Sequence, residues 1–383
     1  MCVPIQPPAT RCWWVGTLLP SAHAQRPFRI TLDGPVVSAA NPSVAYLGWH
    51  GHGNLGDEAI YDAVKQELSG AKFVDVPRTP LEYLRMSAAG PAASWRASTQ
   101  VIGGGTLVGR RHWRYLIKLG ENSTRGQRTH AIGVGVEDPI FGGRRSGSGR
   151  GELRRWPAIL SRFENVSVRG PRSAELLADV GFDVKVSGDP ALLLPRPDVR
   201  PTDGLIGVNI GFHDDLWGHD PDAVARELAS AVNKLATQGY RFVGILMDSR
   251  DRKWTSIALE GVQAEMIFPE DSAAVTAALA RCSLVVVTRL HAAILASLSD
   301  TPRISLEYQP KCRDFALSIN DERSLIRTDT ITHGEVVDRV QELLSDSQNV
   351  RASKRAAVQV LRERLQAEFG EARRQIGLHS APV

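Results

Sequence analysis

Three residues in the last third of the chain, Arg289, His291 and Lys311, have side chains suited to binding and protonating a small acidic molecule. Arg289 and His291 follow the apolar run LVVVT (284–288), and Lys311 follows the next predicted strand, RISLEY (303–308). Arginine and lysine can hold a phosphate and a carboxylate together, while a histidine transfers protons near neutral pH. Because neighbouring parallel strands end at one edge of a sheet, this pattern favours a shared crevice. A helix-capping or core role is the alternative for His291.

Two further charged residues are predicted at strand ends. Arg169 ends NVSVR (165–169), where it would be placed to bind an oxyanion, although a solvated surface arginine is equally compatible with the sequence. Asp189 lies in SGDP (187–190), beside a proline turn. It is a candidate catalytic base, and its alternative role is to cap the turn.

The first glycine turn, HGHGNLGDE (50–58), matches the spacing of a dinucleotide-binding turn, Gly51-x-Gly53-x-x-Gly56, with Asp75 19 residues further on. Asp57 and Glu58 would occupy the first turn of the following helix and repel a pyrophosphate there. The charges therefore disfavour NAD. Glycines that only allow a tight turn are a further alternative. Asn54, Gly56, Asp57 and Glu58 are the candidate site residues of this turn.

A second glycine turn follows the predicted strand TQVI, in GGGTLVG (103–109). Glycines at this place allow positive φ and a close approach of a ligand to the backbone. Gly104, Gly105 and Thr106 are therefore candidate binding residues, and a simple tight exit from the strand is the alternative.

The order of elements predicts an α/β protein. Short apolar runs alternate with helical segments, which is typical of parallel sheets covered by helices. A proline-rich segment (195–204) interrupts the alternation, which restarts at LIGVNI (205–210). We predict a disordered leader at 1–42, Rossmann-like domains at 43–196 and 204–330 that face a cleft, and C-terminal helices at 331–383. The basic, glycine-rich segment 142–151 is predicted to be a flexible loop.

Composition excludes several classes of protein. The net charge of +4 over 383 residues is too small to predict nucleic-acid binding, but it is compatible with an anionic substrate. The four cysteines show no CxxC spacing, which argues against a zinc ribbon and predicts a reducing compartment with a buried Cys282. We find no convincing metal-binding motif. HDD (213–215) resembles a metal-binding DxD motif only loosely, and we interpret it as a loop. No apolar run is long enough to predict a membrane span.

The N-terminal segment RCWWVGTLLPSAHAQ (11–25) imitates a signal sequence, but its apolar part is short and broken by Gly16 and Pro20. We interpret it as a disordered leader, or as the product of a start site placed too far upstream, and expect a cytoplasmic protein. A peripheral membrane contact through Trp13 and Trp14 stays open.

Six segments in the same order make the chain resemble the polysaccharide pyruvyl transferase family. The resemblance covers roughly residues 44–320, and its segments are GNLGDEAI (53–60), VIGGG (101–105), VSVRGPRSAELL (166–177), GDPALLL (188–194), VVTRLHAAILASL (286–298) and EYQPK (307–311). It implies a glycosyltransferase-B-type fold, with phosphoenolpyruvate as donor, a glycan or glycoside as acceptor and no cofactor. The product would be a pyruvate ketal, with release of phosphate.

The resemblance also implies roles for individual residues. Arg169, Arg289 and His291 would bind the donor, and Lys311 is a further candidate. His291 is our candidate for proton transfer, while Asp57, Glu58 and Asp189 stay unranked as the base. Three alternatives are a nucleotide-sugar glycosyltransferase of the same fold, an NAD(P)-dependent oxidoreductase and a non-catalytic glycan-binding protein. The acceptor sugar and the oligomeric state are not predicted.

Overall fold

The structure, a computed structural model, describes residues 42–74, 76, 81–82, 84–85, 99–123, 128–142, 149–212 and 215–378. Residues 1–41 of the predicted leader lie outside this range, as do Asp75, most of the 142–151 loop, His213 and Asp214.

The described N-terminal half is built on a seven-stranded sheet in which every pair of neighbouring strands is parallel. Its order is β2-β1-β3-β5-β6-β7, with β4 paired to β5. The central strand β5 is buried along its whole length, as expected for a parallel strand covered on both faces. The strands are β1 Ser43–Leu47, β2 Lys72–Val74, β3 Thr99–Gly103, β4 Thr106–Val108, β5 Thr129–Val136, β6 Asn165–Val168 and β7 Lys185–Val186.

The C-terminal half contains a second parallel sheet of six described strands, in the order β10-β9-β8-β11-β12-β13. Its first strand begins at Thr202, three residues before the predicted start, because the end of the proline-rich segment is already paired with β11. The strands are β8 Thr202–Asn209, β9 Arg241–Ile245, β10 Ala264–Ile267, β11 Cys282–Val287, β12 Arg303–Glu307 and β13 Leu325–Arg327.

Helices connect most successive strands, and many start at a side-chain cap or at a proline in the first turn. In the N-terminal half they are α1 Leu55–Glu67, α2 Arg111–Ser123, α3 Pro139–Gly142, α4 Arg150–Leu153, α5 Pro157–Leu160 and α6 Pro171–Ala178, followed by a 3₁₀ turn at Pro190–Leu193. In the C-terminal half they are α7 Pro221–Ala236, α8 Asp251–Ala258, α9 Ser272–Ala280, α10 Leu290–Leu298, α11 Pro310–Ser318, a 3₁₀ turn at Glu322–Ser324, α12 His333–Ser345 and α13 Ser347–Ile376.

The last helix, α13, ties the C-terminus back to the N-terminal half. Its side chain Arg362 donates to the carbonyl of Leu194 at 3.0 Å, and Arg373 donates to the carbonyl of Glu67 at 2.6 Å. Apolar residues of α13, such as Phe369, belong to a core cluster that also contains residues of α1, α9 and α10. The predicted C-terminal helices are thus present and bridge the two sheets.

The two halves also meet directly. The backbone N–H of Leu55 at the start of α1 donates to the carbonyl of Met247 after β9, at 2.9 Å. At the start of α6, the N–H of Ser173 donates to Oδ1 of Asp314 on α11, at 3.0 Å. These contacts fix the carboxyl ends of the sheets opposite each other. Cys282 is buried as predicted, and no helix in the described ranges is both long and apolar enough to cross a membrane.

Candidate functional site

A cavity of about 320 Å³ lies between the two halves, and most of the predicted site residues line it. Both sheets contribute, as expected for loops at the carboxyl ends of parallel strands. The predicted residues in its lining are Asn54, Asp57, Gly105, Thr106, Arg169, Arg289, His291 and Lys311. The other lining residues are Trp49, Leu107, Arg110, His112, Trp113, Met247, Leu290 and Tyr308.

Arg169, directly after β6, is the most deeply buried cation of the cavity, with 0% exposure. Its Nη2 lies 3.5 Å from Oδ2 of Asp314, and its Nη1 lies 4.0 Å from Oδ2 of Asp189. Nε and Nη1 have no hydrogen-bond acceptor among the described residues. Buried donors of a charged group are costly when unpaired. A guanidinium with unused donors in a cavity wall is therefore suited to an anionic ligand.

Arg289, immediately before α10, is held by the buried carboxylate of Asp251 at the start of α8. Its Nε and Nη2 donate to Oδ1 of Asp251 at 2.9 and 2.6 Å. Oδ2 of Asp251 accepts from Asn209 at 3.0 Å and from the N–H of Met247 at 3.1 Å. Burial favours the neutral guanidine, but Asp251 outweighs this effect and raises the pKa of Arg289 above its ordinary value. Arg289 is thus a fixed cation.

His291, in the first turn of α10, packs against the first glycine turn. A Cβ added to Gly56 would lie 2.3 Å from Nδ1 of His291, so the glycine is required for this contact. Nε2 of His291 lies 3.7 Å from Oδ2 of Asp189, which is longer than a hydrogen bond. Nε2 has no hydrogen-bond partner in the described part of the chain. The imidazole thus lines the cavity while its buried Nε2 faces the carboxylate of Asp189.

Asp189 lies behind the cavity wall. Its side chain is fully buried and caps the 3₁₀ turn by accepting from the N–H of Ala191 at 3.0 Å. Burial opposes its ionisation, but the neighbouring His291 and Arg169 outweigh burial and hold the pKa of Asp189 below its ordinary value. Its surroundings favour an anion that orients His291 and Arg169 over a base in contact with a substrate.

Asn54 and Asp57 bring a polar pair from the start of α1 to the cavity. Oδ1 of Asn54 accepts from the N–H of Gly56 at 3.1 Å, while its Nδ2 donates to Oδ2 of Asp57 at 2.6 Å. Burial raises the pKa of Asp57 to about 6, although His291 and Lys311 act in the opposite direction. A carboxyl with such a pKa changes its protonation state close to neutral pH, as general acids and bases do.

Lys311, in the first turn of α11, has its Nζ 4.8 Å from the ring centroid of Tyr308, which also lines the cavity. The aromatic face stabilises the ammonium group. Besides Arg110, the cavity thus receives three cationic side chains from separate segments, namely Arg169 from the N-terminal half and Arg289 and Lys311 from the C-terminal half.

Four of the predicted site residues are absent from the lining, namely Gly56, Glu58, Gly104 and Asp189. The carboxylate of Glu58 accepts from the N–H of Gly51 at 2.6 Å, which stabilises the turn. Gly104 faces the core, where an added Cβ would lie 2.5 Å from Cδ1 of Ile60. Gly105, by contrast, lines the cavity with a φ of +80° that favours glycine. Its added Cβ would lie 3.8 Å from Oδ1 of Asp57.

Sequence reasoning missed Asp251 and the aromatic residues Trp49, His112 and Trp113. Asp251 follows the strand RFVGILMD closely, and its place after a strand end was a usable signal. Trp49 lies next to the glycine turn, but no residue spacing connects it with His112 and Trp113, some 60 positions later. Among the described residues no group of His, Cys, Asp and Glu side chains is arranged to hold a metal.

The arrangement can bind a small dianion or trianion and exchange protons with it. Arg169 and Arg289 supply directional donors, Lys311 supplies a point charge, and His291 and Asp57 are groups that can transfer protons. The cavity is lined by residues on both sheets, which is typical of sites that bind two substrates between domains.

A family model described as polysaccharide pyruvyl transferase matches residues 54–310. A search among curated proteins found no significant match.

Solved structures show the same fold at low sequence identity. MnaA of S. aureus with UDP has a TM-score of 0.60 and 10% identity, with 90% of this chain and 99% of that chain covered. A putative UDP-N-acetylglucosamine 2-epimerase from Listeria monocytogenes has a TM-score of 0.57 and 12% identity, with 90% of this chain and 99% of that chain covered. The UDP-GlcNAc 2-epimerase from Neisseria meningitidis bound to UDP-GlcNAc has a TM-score of 0.54 and 11% identity, with 86% of this chain and 98% of that chain covered. The glycosyltransferase-B-type fold, with two parallel sheets facing a cleft, is thus confirmed.

Proposed function

The chain belongs to the polysaccharide pyruvyl transferase family, and from this membership we propose that it transfers the pyruvyl group of phosphoenolpyruvate to two hydroxyls of a sugar. The product is a pyruvate ketal on a polysaccharide, glycolipid or glycoside, and phosphate is released. One observation carries the proposal about the donor: the buried guanidinium of Arg169 lines the cavity with two nitrogens unpaired among the described residues.

The charges of the cavity match those of the donor. Phosphoenolpyruvate carries a phosphate and a carboxylate on adjacent atoms of a small skeleton, so it needs several cations close together. Arg169, Arg289 and Lys311 line one cavity and come from three different strand ends. The guanidinium groups can bind the anions with short, directional hydrogen bonds, and Lys311 adds a point charge. We assign these three residues and His291 to the donor.

The proposed reaction forms two C–O bonds and one C–H bond. A proton is added to the methylene carbon C3, which makes C2 electrophilic, and the first sugar hydroxyl attacks C2 as it loses its own proton. The bond between C2 and the phosphate oxygen then breaks, and phosphate leaves with the electron pair. The second hydroxyl closes the ketal at C2. The two protons lost by the hydroxyls balance the one gained at C3 and the one gained by phosphate.

His291 and Asp57 are the residues we assign to these proton transfers. His291 lines the cavity and has the buried carboxylate of Asp189 beside its Nε2, so it is the candidate donor of the proton to C3. Of the three carboxylates considered as the base, Asp57 lines the cavity, whereas Asp189 is buried behind it and Glu58 bonds to the backbone of Gly51. We therefore favour Asp57 as the group that deprotonates the acceptor.

A nucleotide-sugar-dependent glycosyltransferase is the second candidate. The similar structures named above were solved with UDP or UDP-GlcNAc, or are described as an epimerase of UDP-N-acetylglucosamine. At 10–12% identity that likeness concerns the fold alone. The match of the family model favours the pyruvyl transferase.

The two candidates differ in their products. We expect the purified chain to release phosphate from phosphoenolpyruvate in the presence of a galactoside, glucoside or mannoside, and mass spectrometry should find the glycoside heavier by pyruvate less water. Sugar transfer from UDP- or GDP-sugars, without phosphate release from phosphoenolpyruvate, would support the glycosyltransferase instead. A His291→Ala variant serves as the inactive control.

A further inference from the structure

One part of the cavity lining has no role in binding the donor. We call Trp49, His112 and Trp113 the aromatic wall; all three line the cavity. Trp49 follows β1, and the other two lie at the start of α2. Trp49 is 39% exposed, which is unusual for so large an apolar side chain next to a cavity.

The rings of the aromatic wall are held in place by their neighbours. The indole of Trp49 stacks on His52, with the centroids 4.2 Å apart and the planes at 25°. Its other neighbour is Trp113, at 6.2 Å and 78°, which is an edge-to-face contact. Trp113 is 6% exposed and belongs to the core cluster of the N-terminal sheet. The indole of Trp49 thus packs on two neighbouring rings, which lowers the entropic cost of binding a ligand against it.

The cavity-lining cation next to the aromatic wall is already paired with a carboxylate. Arg110 precedes His112 by two residues and also lines the cavity, but its Nη2 lies 2.7 Å from Oε2 of Glu137. The Nε of Arg110 donates to the same oxygen at 2.8 Å. The cations assigned to the donor come from other segments, at the ends of β6, β11 and β12. The surroundings of the wall therefore suit a ligand without net charge.

We propose that the aromatic wall binds the ring of the acceptor, and that the acceptor is therefore an uncharged pyranoside. One face of many pyranoses carries C–H groups, whose slight positive charge is attracted by the negative face of an indole ring. The hydroxyls at the ring edge remain free to meet Asn54 and Asp57, which line the same cavity. The inference rests on the proposed function for the identity of the acceptor, but the binding of a pyranoside can be measured without the reaction.

The kinetic test compares Trp49→Ala, Trp49→Phe and a matched control, Tyr115→Ala. Tyr115 lies on the same helix as Trp113, is 51% exposed and is absent from the cavity lining. We expect Trp49→Ala to raise the acceptor KM about fivefold, since aromatic contacts are worth roughly 1 kcal/mol beyond the area they bury. In Trp49→Ala the KM for phosphoenolpyruvate should stay within about twofold of the wild-type value. Trp49→Phe should keep part of the affinity for the acceptor, and Tyr115→Ala should behave like the wild type. An unchanged acceptor KM in Trp49→Ala, or equal changes in both KM values, would overturn the inference.

Saturation-transfer difference NMR separates this inference from the proposed function. Methyl galactoside, methyl glucoside, methyl mannoside and UDP are added one at a time to the wild type and to the Trp49 variants, without phosphoenolpyruvate. We expect saturation transfer to the ring C–H protons of at least one glycoside, which should be lost in Trp49→Ala and partly kept in Trp49→Phe. This result supports pyranoside binding at the aromatic wall even if no phosphate is ever released. Transfer to the uracil protons of UDP, with none to any pyranoside, would overturn it and assign the indole to a nucleobase.

Discussion

Gly56 and His291, which come from different halves of the protein, are in direct contact: a Cβ on Gly56 would lie 2.3 Å from Nδ1 of the imidazole. The glycine that completes the apparent dinucleotide fingerprint thus makes room for a site residue of the opposite half. The carboxylates of Asp57 and Glu58 follow it, and Asp57 lines the cavity beside His291. The turn positions a catalytic candidate, which accounts for the fingerprint without a pyrophosphate.

The contact makes Gly56→Ala a sharp test of how His291 is positioned. The added methyl group has to displace the imidazole or separate the two halves, so we expect kcat to fall by about 10²-fold, as for a misplacement of about 1 Å in an active site. Steady-state phosphate release measures the effect. Gly334→Ala is the control, because nothing lies within 4 Å of its added Cβ in α12 and alanine favours a helix. Comparable activity of both variants would show that the contact is dispensable.

The pKa of Asp57 predicts an acid limb in the pH profile. Burial raises this pKa to about 6, and a base must be deprotonated to act. We expect kcat/KM for the acceptor to be half-maximal near pH 6 and to fall about tenfold for each pH unit below it. Asp57→Asn should lower the rate at pH 8 by about 10²–10⁴-fold and remove this limb. An Asp57→Asn variant that keeps the same acid limb would assign the titration to another group.

The raised pKa of Asp57 also predicts that stability depends on pH in the opposite direction to activity: activity rises with pH, and stability falls. The folded-state pKa of Asp57 lies above that of an ordinary carboxyl, so the folded protein binds this proton more tightly than the unfolded chain. The resulting stabilisation is complete below the ordinary carboxyl pKa and is lost as the pH rises through about 6. We therefore expect Asp57→Asn to have a higher Tm than the wild type at pH 8, and the difference to shrink towards pH 4. A lower Tm at pH 8 would contradict a buried, unfavourable carboxylate.

Arg169→Lys tests the donor site. Lysine keeps the positive charge but loses the planar fork that binds two oxygens at once. We expect the KM for phosphoenolpyruvate to rise about 10–100-fold, since hydrogen bonds to charged groups contribute roughly 1.5–3 kcal/mol, with little change in the acceptor KM. Arg281→Lys is the control, because Arg281 is exposed at the end of α9. A selective rise in the acceptor KM would assign Arg169 to the sugar.

Asp251→Asn tests whether Arg289 depends on its buried partner. The carboxylate binds Nε and Nη2 of Arg289 and also receives Asn209 and the N–H of Met247. Its replacement leaves a buried guanidinium uncompensated, which is expected to cost about 3–5 kcal/mol of stability. The KM for phosphoenolpyruvate should rise more than the acceptor KM. At the same phosphoenolpyruvate concentration the Tm of the variant should therefore rise by less than that of the wild type, whereas a purely structural defect would leave the two increments equal.

Much of the fold was predictable because apolar runs and glycine or proline breaks report secondary structure locally. The α/β alternation, the parallel sheets and the C-terminal helices were all predicted from such patterns. The start of β8 at Thr202 was missed because pairing with β11 extends a strand into a segment with the composition of a linker. Local composition does not contain that long-range contact.

The site residues that directly follow the ends of strands were predictable, because ligands of parallel sheets bind at that edge. Arg169, Arg289, His291 and Lys311 were selected for that reason, and all line one cavity. The relation of Asp189 to them was not predictable, since its burial behind His291 follows from the docking of the 3₁₀ turn. The aromatic wall was missed because α2 brings His112 and Trp113 to Trp49 only in three dimensions.

Isothermal titration calorimetry of the wild-type chain with phosphoenolpyruvate, UDP and NADH tests the central claim most directly. The three cationic side chains assigned to the donor predict that phosphoenolpyruvate binds at one site per chain, that Arg169→Lys weakens this binding, and that UDP and NADH bind more weakly. Tight binding of UDP or NADH, with no heat from phosphoenolpyruvate, would contradict a cavity built for a small phosphorylated acid.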